Sequence, residues 1–70
     1  MWTIQPYTKF ALSQAYFPES SYKTAARHLN RWIQSDTSLC DALKQTGYDK
    51  NQRRFTAQQV SLIFEHLGEP

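Results

Sequence analysis

The sequence predicts a mainly α single domain of four helices, arranged like a helix-turn-helix. Four segments repeat apolar residues at helical spacing, and each follows a Ser, Thr or Asp that can cap a helix. Each segment also ends at a proline, a glycine or a polar break. Seventy residues are enough for one domain, so we expect a single unit over residues 1–70.

The N-terminal segment has a period of two before the helical pattern begins. Trp2 and Ile4 alternate with polar neighbours, and Pro6 ends the alternation. One interpretation is a short strand, Trp2–Gln5, that forms a two-stranded pairing with Arg53–Phe55. The other is an extended arm that lies over the core.

The first two predicted helices are joined by a tight turn. Thr8 can cap the first helix, whose apolar face includes Leu12, Ala15 and Tyr16, and Pro18 terminates it. The turn FPESS then leads into the central helix. This order of helix, turn and helix predicts a helix-turn-helix.

The central helix, Ser20–Gln34, has an apolar stripe. Ala25, Leu29, Trp32 and Ile33 recur at i, i+4, i+7 and i+8, which places them on one side of a 3.6-residue helix. We therefore expect this stripe, including Trp32, to pack in the core.

Another side of the same helix carries long hydrogen-bond donors. Lys23, Arg27, Asn30 and Gln34 recur at i, i+4, i+7 and i+11, with Arg31 beside them and no acidic residue in the helix. A face of this kind is able to read bases in the major groove of DNA. It is equally consistent with an ordinary solvated helix surface.

The third helix and the loop after it follow a polar break. Asp36 or Thr37 can cap this helix, and Gly47 fits the left-handed position at its end. The loop Tyr48–Arg54 then carries three cations, Lys50, Arg53 and Arg54, and one anion. This loop is either the wing of a winged helix-turn-helix, which contacts DNA phosphates, or a solvated connector.

The last helix has the clearest start signal. Thr56 and Gln59 match a capping box, and Phe55 and Val60 are placed to form a hydrophobic staple. Gly68 ends the helix. The predicted core is as follows: Leu12, Ala15, Tyr16, Ala25, Leu29, Trp32, Ile33, Leu39, Leu43, Phe55, Val60, Ile63, Phe64 and Leu67.

The composition and the spacing of reactive residues restrict the classes of function that the chain can have. The net charge is +2, Cys40 is the only cysteine, and neither a membrane-spanning run nor a signal peptide is apparent, so we expect a cytoplasmic protein. His28, His66 and Cys40 have no partners at catalytic or metal-ligand spacing. We expect no enzymatic activity, no metal, no cofactor, no small-molecule substrate and no membrane partner.

Two functions remain from different classes. The first is non-catalytic binding of double-stranded DNA through the central helix, Ser21 to Gln34, with a convex and uncovered donor face. The residues expected to contact DNA are Lys23, Arg27, Asn30, Arg31, Gln34, Lys50, Arg53 and Arg54. The second is a protein–protein adaptor or accessory subunit, with another protein or a second copy of the chain as partner.

Short motifs spread along the chain resemble a known family. These are Leu12, Tyr16-Phe17-Pro18, Ala25, Leu29, Trp32-Ile33, Gly47-Tyr48, Arg53, Phe55-Thr56, Val60 and Leu67-Gly68-Glu69-Pro70. Taken in order, they resemble a family of small Bacteroides-type proteins catalogued as domain of unknown function 4248. The resemblance runs from about Tyr7 to Pro70 and implies a bacterial, cytoplasmic setting.

A weaker resemblance concerns function. Leu12 to Tyr16, Tyr22-Lys23-Thr24, Arg31-Trp32-Ile33 and Phe55-Thr56 through Leu67-Gly68 look like excisionase- and MerR-like helix-turn-helix proteins. The resemblance implies that the helix matching Ser21 to Gln34 enters DNA. Ser13 stands where that pattern usually has a small apolar alanine.

Overall fold

The structure, a computed structural model, describes residues 2–49 and 51–70. Four helices and two short strands follow one another in these residues: β1 (Tyr7–Thr8), α1 (Lys9–Tyr16), α2 (Tyr22–Ser35), α3 (Thr37–Gln45), β2 (Arg54–Phe55) and α4 (Ala57–Leu67). Helix α2 packs against both α1 and α3, and α4 packs against α3. The predicted mainly α fold class with a short antiparallel pairing is confirmed.

The helices begin and end where the local sequence predicts. Thr8, Ser21, Asp36 and Thr56 are the N-caps, and each side chain accepts a hydrogen bond from a first-turn backbone N–H group. The capping box at the start of α4 is complete. At the end of α3, Gly47 adopts a φ of +86°, a conformation that glycine tolerates without a Cβ clash.

The prediction for the N-terminal strand was wrong. Tyr7 and Thr8, which follow Pro6, pair with Phe55 and Arg54 in an antiparallel register, whereas Trp2–Gln5 does not pair. The Tyr7 hydroxyl donates to the Thr3 carbonyl at 2.9 Å, and the chain bends between them at Ile4 and Gln5. The alternative of an arm over the core agrees better, because Trp2 packs edge-on against Tyr7 and Phe64.

The core lies between the four helices and β2. Its buried hydrophobic residues are Leu12, Ala25, Leu29, Ile33, Leu39, Leu43, Phe55, Val60, Ile63 and Phe64. All ten were predicted. Of the remaining predicted core residues, Ala15, Tyr16 and Leu67 are only half-buried.

Trp32 is the clear error in the predicted core, because its side chain is 43% exposed. The buried stripe of α2 consists of the smaller residues Ala25, Leu29 and Ile33. Trp32 lies at the edge of this stripe, where its ring packs against the rings of Tyr16 and Phe17. The indole therefore covers the rim of the core instead of filling it.

Candidate nucleic-acid interface

A groove of about 630 Å³ lies between the donor face of α2, the start of α1 and the loop before β2. Its lining residues are Lys9, Tyr22, Lys23, Ala26, Arg27, Asn30, Arg31, Gln34, Asn51, Gln52 and Arg53. We call it the cationic groove. Five of these side chains are lysines or arginines, and four are amides.

The groove brings together six of the predicted site residues: Lys23, Arg27, Asn30, Arg31, Gln34 and Arg53. Arg54 is exposed on β2 and does not line the groove. Lys50 lies outside the described residues. The lining residues Asn51 and Gln52 were not predicted as site residues, because their proximity to α2 depends on contacts between elements far apart in the sequence.

The shape of the site differs from the expectation. The donor face of α2 is largely exposed to solvent, as Lys23, Arg27, Arg31 and Gln34 show. It forms one wall of a concave groove, whereas the sequence interpretation required a convex face. The loop before β2 forms part of the facing surface, so a ligand would have to enter between the two.

Hydrogen bonds hold the part of the loop that lies next to β2. The Lys9 backbone N–H donates to the Arg53 carbonyl at 2.8 Å, which joins the start of α1 to the loop. The Gln52 Nε2 group donates to the Arg54 carbonyl at 2.7 Å and to Gln59 Oε1 at 2.6 Å. The groove wall that contains Gln52 and Arg53 is therefore attached to α1 and α4.

Gln59 is the buried centre of this attachment. Its Oε1 atom also accepts from the Thr56 backbone N–H at 3.0 Å, and its Nε2 group donates to Thr46 Oγ1 at 2.9 Å. From the sequence, the capping-box motif predicted hydrogen bonding of Gln59 with Thr56 only. The bonds to Thr46 and Gln52 join the end of α3 and the loop to the start of α4.

Lys9 lies deepest among the groove cations, with only 7% of the residue exposed. Burial lowers its pKa, because desolvation disfavours the ammonium form, while the Asp49 carboxylate acts in the opposite direction. None of the six acidic residues of the chain is among the described residues that line the groove. The positive charge of the chain is thus concentrated at this site.

A different part of the surface carries another cavity, of about 620 Å³, beside the exposed Trp32 ring. Asp36 and His66 line it together with hydroxyl side chains. Across residues 2–49 and 51–70, no helix has the length and apolar character required to cross a bilayer. The same residues contain no group of three or more His, Cys, Asp or Glu side chains placed to hold a metal ion.

Fold and groove together define a small, mainly helical domain with a concave cationic surface. The model of the family described as Domain of unknown function (DUF4248) matches residues 3–70, and the chain belongs to this family. This match confirms the predicted resemblance to domain of unknown function 4248. Neither the curated proteins nor the solved structures contain a significant match to the chain.

Proposed function

We propose that this protein binds DNA without catalysing a reaction, through the cationic groove. The observation that carries the proposal is the convergence of Lys9, Lys23, Arg27, Arg31 and Arg53 on one groove with no lining carboxylate among the described residues. Lysine and arginine side chains contact phosphates, and this electrostatic contribution supplies most of the affinity in sequence-independent DNA binding.

The concave shape supports contact with a phosphate backbone. A DNA strand presents a continuous ridge of phosphates, and a groove with cations on both walls can neutralise that ridge from two sides. Asn30 and Gln34 lie on the α2 wall of the groove, and amide side chains can hydrogen-bond to base edges. Double-stranded DNA remains the first ligand to test.

The distribution of charge accounts for binding by a chain with a net charge of only +2. Five of its eight lysine and arginine residues line the groove and none of its six acidic residues does, although Asp49 lies near enough to act on Lys9. At physiological salt the screening length is about 8 Å, so a bound phosphate responds mainly to charges near the groove. The local field is therefore more positive than the net charge indicates.

The test is fluorescence anisotropy with a labelled mixed-sequence duplex, between about 50 and about 200 mM salt. If the four exposed groove cations, Lys23, Arg27, Arg31 and Arg53, met phosphates, log K against log salt would have a slope of about −3.6, and fewer contacts would make it proportionally shallower. The substitution Arg27→Glu should weaken binding at least about tenfold at low salt and reduce the slope.

Arg54→Glu is the matched control, because it makes the same change of charge at an exposed arginine outside the groove. It should weaken binding much less than Arg27→Glu. Equal weakening by the two variants would show that binding follows net charge and would contradict the groove as the site. An absence of binding at the lowest salt would eliminate DNA as a ligand of the isolated chain.

The exposed Trp32 ring favours a second candidate, a protein–protein adaptor. Together with Tyr16 and Phe17 it forms an aromatic cluster at the edge of the core, and aromatic side chains are enriched at interface hot spots. Sedimentation equilibrium tests the case in which the partner is a second copy. Self-association that Trp32→Ser abolishes, while α-helical circular dichroism is unchanged, would support it, and a monomer at all concentrations would exclude it.

A further inference from the structure

A cavity of about 600 Å³ adjoins the cationic groove along α2. Its lining residues are Asn30, Ile33, Gln34, Cys40, Lys44, Tyr48 and Asp49. Asn30 and Gln34 line both cavities, so the two cavities adjoin at these amides. A ligand in the groove would therefore lie next to the space between α2, α3 and Tyr48.

This neighbouring cavity has a different chemical character from the groove. Ile33, Cys40 and Tyr48 provide apolar surface, and the Tyr48 ring lies parallel to the buried Phe55 ring, with 5.8 Å between centroids and 11° between planes. Packing against Phe55 holds the tyrosine ring in a defined orientation. A half-buried aromatic wall next to a cationic groove suits a ligand that is flat on one side and anionic on the other.

Asn30 supplies the polar group that would orient such a ligand. Its Oδ1 atom is shielded from solvent, and none of the described residues donates a hydrogen bond to it. A buried acceptor without a donor costs free energy. Turning this amide towards a ligand breaks no hydrogen bond that Oδ1 accepts, and the N–H groups of a base edge are the donors that this oxygen lacks.

We propose that the cavity is a base pocket, which receives an unpaired base of a DNA strand whose phosphates lie in the cationic groove. The inference rests on the proposed function and names the form of DNA that the same site prefers. Bases in a duplex are stacked and paired, and extruding one of them costs a few kcal/mol. Single-stranded or locally unpaired DNA therefore binds more tightly than an intact duplex.

The test compares three labelled ligands by anisotropy at one salt concentration. They are an oligothymidylate, an abasic oligonucleotide of equal length, and a duplex of equal length. The first two carry the same phosphate charge, so the difference between them reports contacts to the bases. We expect the oligothymidylate to bind about tenfold more tightly than the abasic strand, because stacking and base-edge bonds are lost without bases.

Cys40 provides an independent measure of occupancy, since it is the only cysteine and lines the base pocket. The rate at which a chromogenic disulfide such as dithionitrobenzoate modifies its thiol reports access to the pocket. Saturating oligothymidylate should slow modification several-fold. The abasic strand at saturation should leave the rate close to that of the free protein.

Asn30→Ala tests the orienting residue, and Gln45→Ala is its control because Gln45 is an exposed amide of α3 that lines neither cavity. Asn30→Ala should remove most of the preference for the base-bearing strand and leave abasic-strand affinity within about twofold. Gln45→Ala should change neither affinity. Circular dichroism of both variants establishes that their helices are intact.

Each outcome has a definite meaning. A preference for bases with protection of Cys40 and loss of that preference in Asn30→Ala supports the base pocket. Equal affinity for the base-bearing and abasic strands, or tighter binding of the duplex with an unprotected thiol, overturns the base pocket while DNA binding in the groove stands. Failure of all three ligands to bind at low salt overturns the proposed function as well.

Discussion

Asp36 Oδ2 lies 3.4 Å from Nδ1 of His66, which connects the junction of α2 and α3 to the end of α4. Asp36 has two other structural roles. Its Oδ1 atom accepts from the Leu39 backbone N–H at 3.0 Å and caps α3, and its own backbone N–H bonds to carbonyls of the last turn of α2. One residue therefore links the ends of three helices.

These roles predict different effects for two substitutions at Asp36. Asp36→Ala removes the cap and the contact with His66 and should lower the free energy of unfolding by about 1–2 kcal/mol. Asp36→Asn keeps a capping oxygen and loses only the charge facing His66, so it should cost less than about 1 kcal/mol. Urea denaturation of the two variants provides the comparison. Equal losses would show that the contact with His66 contributes more to stability than the cap.

We expect the substitution of Ser13 by alanine to stabilise the protein. Its side chain is fully buried in α1, and its hydroxyl has no hydrogen-bond partner among the described residues. Ser13→Ala removes an unsatisfied polar atom with little change in volume, so it should raise the free energy of unfolding by about 1 kcal/mol. In a domain of this size, that corresponds to an increase in Tm of about 4–8 °C.

The control for this substitution is Ser38→Ala, at an exposed position in α3. It should change stability by less than about 0.5 kcal/mol, because its hydroxyl is solvated in both states. If Ser13→Ala destabilised the protein, the Ser13 hydroxyl would have to gain a favourable hydrogen bond in solution.

In contrast to Ser13, we expect the substitution of Gln59 to destabilise the protein, because its buried amide makes hydrogen bonds to Thr46, Gln52 and Thr56. Gln59→Ala leaves these partners unpaired and should lower the free energy of unfolding by about 2–3 kcal/mol. Thr56→Ala removes only the N-cap side chain and should cost about 1 kcal/mol. Chemical denaturation of both variants measures the difference.

The same substitution should also act on the cationic groove. Because Gln59 attaches Gln52 to α4, Gln59→Ala should increase hydrogen exchange at the backbone amides of Asn51 and Gln52 more than Thr56→Ala does. Unchanged exchange at these two amides would mean that the bond between Lys9 and Arg53 is sufficient to hold the loop.

We expect the ionisation of Tyr16 to lower the stability of the folded protein in alkaline solution. Burial, with a smaller effect of the Glu69 carboxylate, raises its pKa from 10.0 to about 12, and its hydroxyl donates to the Gly68 carbonyl. Between these two values the folded protein keeps a proton that the unfolded chain releases. The protonated Tyr16 hydroxyl therefore contributes fully to the free energy of unfolding below about pH 10, and this contribution is lost as the pH rises towards about 12.

Tyr16→Phe should therefore flatten the decline of stability between about pH 10 and about pH 12. Absorbance titration near the phenolate band should show one late-ionising tyrosine fewer, while Tyr48, whose pKa is also raised by burial, still ionises late. If the absorbance change that the variant loses falls near pH 10 instead of near pH 12, Tyr16 ionises as a solvated phenol.

The sequence by itself determined the features that depend on neighbouring residues. The positions of the N-caps, to within one residue at α3, follow from bonds that span a few residues of chain, as do the capping box of Thr56 and Gln59 and the left-handed Gly47. The buried stripes of α2 and α4 likewise follow from helical periodicity. These interactions are local and do not depend on how distant segments of the chain pack.

Tertiary structure alone decided the features that depend on which elements meet. The exposure of Trp32, the pairing of Tyr7 with Phe55 and the contact between Asp36 and His66 all require distant segments to come together. The donor face of α2 was predictable from spacing, but its position in a concave groove depends on the bond between Lys9 and Arg53. Periodicity specifies the side of a helix that a residue occupies, and only packing determines what lies opposite it.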